Sequence, residues 1–391
     1  MINLPETWQE RVEALVLILG AVGCLVMTQL MPEAILLHGL GALSAVLLLY
    51  WRWYLPYHSL YLAARDGRPQ RVTRLIAQGA DPNVRNSGGF SPLHLATSWG
   101  HRATVTALLA GKADPNLPCT AGEWPGATPL HLAVAISRQD LIEDLLAAGA
   151  NTNAQMADGA PPLHLAILND QAGLVRLLLE KGADPNLHGP ETAPPIHLAV
   201  FPDSTEIATM LIERGADLTS RGPSGATALH LAAALGQPNV ATLLLDKGLD
   251  IHIRNEIGET PLHYASREGR AEMVSFLLGR GAEVDARTTT WGTPLHIAAY
   301  RGQTEVVRVL LDHKAQVNAR ANDGMTPLHQ AAACGSRDSV ALLLERGADL
   351  NARGDFELTA LHVARLDGHR EVAAFLLEKG AEDTPTPVIE E

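Results

Sequence analysis

The residues best suited to chemistry are nine histidines at regular spacing: His94, His131, His164, His197, His230, His263, His296, His329 and His362. The first two lie 37 residues apart and every later step is 33. Imidazole ligates metals and titrates near neutral pH, so such a row raises zinc binding and acid–base catalysis. Spacing argues against a shared zinc. A fixed period of this length marks stacked repeats, and equivalent residues on packed helices stand about 10 Å apart. Ligands of one zinc ion sit about 2 Å from it. The histidines are therefore expected to brace a scaffold. The other seven histidines show no ligand-type spacing, and no Walker A loop, nucleophile elbow or zinc-protease helix motif occurs. Gly39-Leu40-Gly41 sits inside an apolar run and is no dinucleotide fingerprint. The expectation is no enzyme: no catalytic residue, no metal, no cofactor and no small-molecule substrate.

Each histidine ends a tetrapeptide such as Thr293-Pro294-Leu295-His296. Threonine caps a helix with its hydroxyl, proline suits the first helical position, and leucine faces inward. About a dozen residues on comes a second apolar helix, for example Val306 to Leu311. A Gly-Ala-Asp turn or a close variant then stops it, as at Gly182-Ala183-Asp184 and Gly347-Ala348-Asp349. Two short helices cannot bury their apolar faces alone, so neighbours must stack.

The Thr-Pro-Leu-His motif, the Leu-Leu pair, the Gly-Ala-Asp turn and the 33-residue step resemble the ankyrin repeat family over residues 59–382. Leu60-Tyr61-Leu62-Ala63-Ala64 supplies an opening repeat, making ten. The resemblance implies an all-α solenoid of helix-turn-helix repeats with finger loops, and a protein partner bound without covalent chemistry. It also implies that the motif imidazoles hydrogen-bond within and between turns, and that the fourth and fifth residues after each histidine line a concave side. Trp99, Ile136, Leu168, Phe201 and Leu235 stand there in the first five motif repeats, and the later repeats are mixed or charged. These five form a candidate groove, with Phe90 and Trp124 extending it at the finger tips. The same side chains could instead fold down as core. Pro161-Pro162 and Pro194-Pro195 lack the capping threonine, and Phe201-Pro202-Asp203-Ser204 replaces the usual Gly-His turn. Four extra residues within 117–125 interrupt the period.

The net charge of -13 argues against a nucleic-acid partner. Three widely separated cysteines, Cys24, Cys119 and Cys334, show no disulfide framework and point to a reducing compartment. After a polar N-terminus (1–13), residues 14–31 and 34–51 carry no charge and are split by Pro32-Glu33. Each run reaches the short end of a bilayer span. Tyr50, Trp51, Trp53, Tyr54 and Tyr57 form an aromatic exit, and the basic residues lie on the open side of the hairpin. The expectation is a transmembrane helical hairpin over 14–57, with the repeats (58–383) on the cytoplasmic face. An excess of arginine over lysine hints at a GC-rich bacterial genome, and the expected location is a bacterial inner membrane. A disordered acidic tail (384–391) would end the chain. Alternatives are a soluble hairpin, a regulatory subunit of a transporter or channel, and a periplasmic lipoprotein cleaved before Cys24.

Overall fold

The computed structural model describes residues 55–86, 88–120, 124–290 and 292–385. The hairpin helices expected at 14–31 and 34–51, and residues 386–391 of the expected tail, lie outside the described residues. Among the described residues no helix is long and apolar enough to cross a membrane.

The chain divides into two compact units, Met1–Gly122 and Glu123–Glu391, and the division falls inside the 117–125 insertion. The first unit contains α1 (Leu55–Arg65), α2 (Pro69–Ala77), α3 (Pro92–Ser98) and α4 (Arg102–Ala110). The second begins with α5 (Pro129–Ala135), α6 (Gln139–Ala147), α7 (Pro162–Leu168), α8 (Ala172–Glu180), α9 (Pro195–Leu198) and α10 (Thr205–Glu213). It continues with α11 (Ala228–Leu235), α12 (Pro238–Asp246), α13 (Pro261–Arg267), α14 (Ala271–Gly279), α15 (Pro294–Tyr300) and α16 (Thr304–Asp312). The last four are α17 (Pro327–Cys334), α18 (Arg337–Glu345), α19 (Ala360–Leu366) and α20 (Arg370–Glu378). Helix pairs thus repeat throughout, and the described residues contain no strand.

Each first helix starts as its tetrapeptide dictates. Thr128, Thr227, Thr260, Thr293, Thr326 and Thr359 are extended N-caps in capping boxes whose third helical residue is the motif histidine. Ser91 does the same for α3. The leucine just before the motif histidine is fully buried in every repeat that has it, as at Leu130, Leu163, Leu295 and Leu361. Second helices present Leu141 and Leu145, or Val175 and Leu178, to the same core. Gly182 shows why these helices stop where they do. Its φ of +88 is left-handed, and an added Cβ would meet nothing within 4 Å, so backbone conformation alone selects glycine.

Neighbouring repeats are also tied by polar bonds. Asn186 donates from Nδ2 to the Gly215 carbonyl (2.9 Å) and accepts at Oδ1 from the Asp217 N–H (2.8 Å). Asn153 and Asn318 repeat the pattern with Gly182 and Asp184, and with Gly347 and Asp349.

One element departs from the expected helix pattern. α9 has only four residues, and Phe201 lies in the turn after it instead of near a helix end. Pro202 has no N–H for the Leu198 carbonyl and disfavours helical geometry at Phe201. Asp203, at φ +52, makes the turn; its carboxylate accepts from Asn239 Nδ2 (2.9 Å) and the Val240 N–H (3.3 Å) at the start of α12.

Candidate functional site

All nine motif histidines are buried. In α15, Nδ1 of His296 accepts from the Thr293 N–H (3.2 Å) and lies 2.8 Å from its Oγ1. The backbone N–H can only donate, so Nδ1 is the unprotonated nitrogen and Nε2 carries the hydrogen. That Nε2–H donates to the Met325 carbonyl of the next repeat (3.2 Å). His131, His230 and His329 reach Ala160, Glu259 and Leu358 in the same way. The ring is a neutral bridge with both nitrogens engaged, and no lone pair is left for a metal or a substrate proton.

The two proline repeats solve the problem differently. Pro161 and Pro194 supply neither N–H nor hydroxyl, so Nδ1 of His164 and His197 loses its usual donors. Their Nε2 atoms turn to Leu187 (3.1 Å) and Ser220 (2.9 Å), six residues earlier in the following sequence than the partners of His131, His230, His296 and His329. His263 differs again: its Nε2 faces the Gly292 carbonyl without meeting hydrogen-bond geometry. Burial pushes the imidazoles of His164, His230 and His296 down to about 4, and that of His263 to about 3. His197 and His329 are lowered for the same reason. A cation there would lose hydration and, in the threonine repeats, set Nδ1–H against a donor.

The candidate binding side chains lie elsewhere. Ile136 is 38% exposed, Leu168 54%, Phe201 54% and Leu235 37%. They follow or end α5, α7, α9 and α11, first helices that pack side by side in the second unit. They form one apolar row outside the core. Trp99, 64% exposed, caps α3 of the first unit. Phe90 sits half-buried with its ring edge-on to His94, centroids 5.9 Å apart. Trp124 is 37% exposed on a finger.

Tyr300 and Leu366 are as exposed as these residues and occupy the same motif offset in later repeats. The expected row stops at Leu235 because polar neighbours dilute the apolar signal there; position relative to the histidine finds both. A cleft of about 400 Å³ beside Trp124 also involves Met156, Asp158, Leu165 and Glu191. No motif marks these four, since they converge only when fingers pack. Among the described residues no three His, Cys, Asp or Glu side chains converge as a metal site. Neither Cys119, which is buried, nor Cys334 takes part in a disulfide.

Comparison with known proteins agrees with the geometry. The family model described as ankyrin repeats (3 copies) matches residues 60–156, 130–222, 196–288 and 285–354. A single-repeat ankyrin model matches 356–385. A stretch of 92 residues is 34% identical to the human neurogenic locus notch homolog protein 4, covering 24% of this chain and 4% of that protein.

Proposed function

Because this chain belongs to the ankyrin repeat family, we propose that it is a recruitment scaffold that captures a protein partner on its first-helix ends and holds it at a membrane. The observation that carries this reading is the exposed row Ile136, Leu168, Phe201 and Leu235, set against a fully buried core one or two residues away. Exposed apolar area costs about 25 cal/mol per Å² relative to burial. A partner covering these side chains recovers that energy, and ring-bearing anchors such as Phe201 and Trp99 dominate such surfaces. The motif histidines hold the row in register and take no part in contact.

The membrane part rests on the uncharged runs 14–31 and 34–51, their aromatic exit and the arginines of the open side. Anchoring there places the repeats on the cytoplasmic face of an inner membrane and raises the effective concentration of a captured partner.

A photo-crosslinking residue at Leu168 or Phe201 of the full chain, in native membranes, tests the surface. The expected adduct forms there and not from Glu143 on α6, and it disappears in an Ile136→Ala/Leu235→Ala background. Equal adducts at all three positions would remove the basis for this surface. A soluble adduct partner marks a recruiter, and a stoichiometric integral-membrane partner marks a regulatory subunit.

A further inference from the structure

We propose that the cleft beside Trp124 is a receptor for a lysine or arginine side chain of the partner segment that lies on the apolar row. The inference rests on the partner-binding reading above and adds the chemistry of one contact.

Three fingers build the cleft, and the backbone fixes them against one another. The Ala157 N–H donates to the Pro125 carbonyl (2.8 Å), joining the finger that carries Trp124 to the one that carries Met156 and Asp158. A Cβ added to Gly159 would stand 2.3 Å from the Gly189 Cα, so only glycine lets the third finger close in. Glu191 rides on that third finger, whose turn is closed by the Gly189 N–H on Thr192 Oγ1 (2.7 Å). Asp158 is held by its own turn, with Oδ1 accepting the Ala160 N–H (3.0 Å).

The lining then selects the ligand. Trp124, Met156 and Leu165 give an apolar wall for a long methylene stem, and Asp158 and Glu191 give two carboxylates for its charged head. Among the described residues no lysine or arginine lines the cleft to neutralise them. Two unmatched carboxylates beside an indole favour a cation through ion pairing and through the ring quadrupole, for which tryptophan is the best ring. They disfavour an anion or a purely aliphatic side chain. A volume of about 400 Å³ is ample for one long side chain. Leu165 lies three residues before Leu168 on α7, on the same helix face. The cleft therefore opens beside the apolar row, and one partner segment can fill both with a basic residue flanked by apolar ones.

The test pans a phage-displayed library of short random peptides over the full-length chain in detergent micelles. The winner is then synthesised, together with a counterpart in which its basic residue is glutamine. The expected winner carries lysine or arginine beside leucine or an aromatic residue. Its glutamine counterpart binds about tenfold more weakly, equivalent to roughly 1.4 kcal/mol. The Asp158→Asn/Glu191→Gln variant, which keeps the Ala160 hydrogen bond, loses the same factor for the basic peptide and nothing for the glutamine one. Trp124→Ala weakens the basic peptide as well, with far-UV signal unchanged. Winners without a basic residue, or binding indifferent to the two carboxylates, overturn the cleft assignment. If those same peptides still need Leu168 and Phe201, the surface reading stands while the cleft falls. Enrichment of nothing counts against both.

Discussion

At the scale of single residues, the threonine-histidine pair shows how a group that looks catalytic becomes structural. Thr293 caps α15 and feeds Nδ1 of His296, and the ring passes the connection on to Met325. Thr293→Val removes the hydroxyl from a buried site and is expected to cost about 1–2 kcal/mol in urea unfolding. A change below a few tenths would mean the backbone N–H alone supports the ring. The buried rings also set a pH dependence. Unfolded histidines take up protons from about pH 6.5 downward, whereas His164, His230 and His296 stay neutral until about 4 and His263 until about 3. Between those limits the unfolded state binds more protons. Stability is therefore complete above pH 6.5 and falls as the pH drops, by on the order of 1 kcal/mol per pH unit for each such ring. Urea midpoints measured at pH 7.5, 6 and 5 check this, and a constant midpoint would contradict neutral burial.

At the scale of elements, two local departures from the repeat carry the clearest energetics. Glu259, fully buried before α13, pairs with Arg267 at the end of that helix. Asn255 joins the pair, donating from Nδ2 to Glu259 Oε2 and Tyr264 Oη (3.1 Å each), and Arg267 lies over the Tyr264 ring. Equivalent positions in other repeats hold Ala127, Ala160 and Ala226. Arg267→Met alone strands a buried carboxylate and is expected to cost roughly 3–5 kcal/mol, while adding Glu259→Ala returns most of it. Additive losses in that cycle would show that the two residues act separately. At Lys314 the turn after α16 has φ +67, where most repeats place glycine. Lys314→Gly is expected to raise stability by about 0.5–1 kcal/mol through relief of left-handed strain. Buried and exposed positions of one helix should diverge too. Leu163→Ala in α7 costs about 2–5 kcal/mol, whereas Leu168→Ala leaves the melting temperature nearly unchanged.

At the scale of the whole molecule, stability is a sum over repeats and their neighbours. The unit Glu123–Glu391 contains the eight helix pairs from α5 to α20, well above the roughly three repeats an array needs. A fragment of residues 123–391 is expected to keep its helical signal and unfold cooperatively; an unfolded fragment would make the first unit essential to folding. The proposed anchor predicts that the full chain stays in the membrane pellet after alkaline carbonate, and that removal of residues 1–57 releases it. Release of the full chain by carbonate would refute the anchor.

The sequence by itself determined the repeat, the starts of the helices and the buried leucines. Those features depend on local rules: a capping hydroxyl, a proline at the first helical position, a glycine where φ is left-handed. They recur every 33 residues, so each copy repeats the same instruction. The truncation of α9 was half-legible, since Pro202 was visible but its effect on four residues of helix was not. Tertiary structure alone decided the rest. Whether Leu168 and Phe201 were core or surface depended on the depth of the neighbouring helices, which no spacing rule contains. The Asp158 and Glu191 cleft depended on Gly159 meeting Gly189, a contact across 30 residues of chain. Local conformation is written residue by residue, whereas exposure and convergence are properties of the packing between repeats.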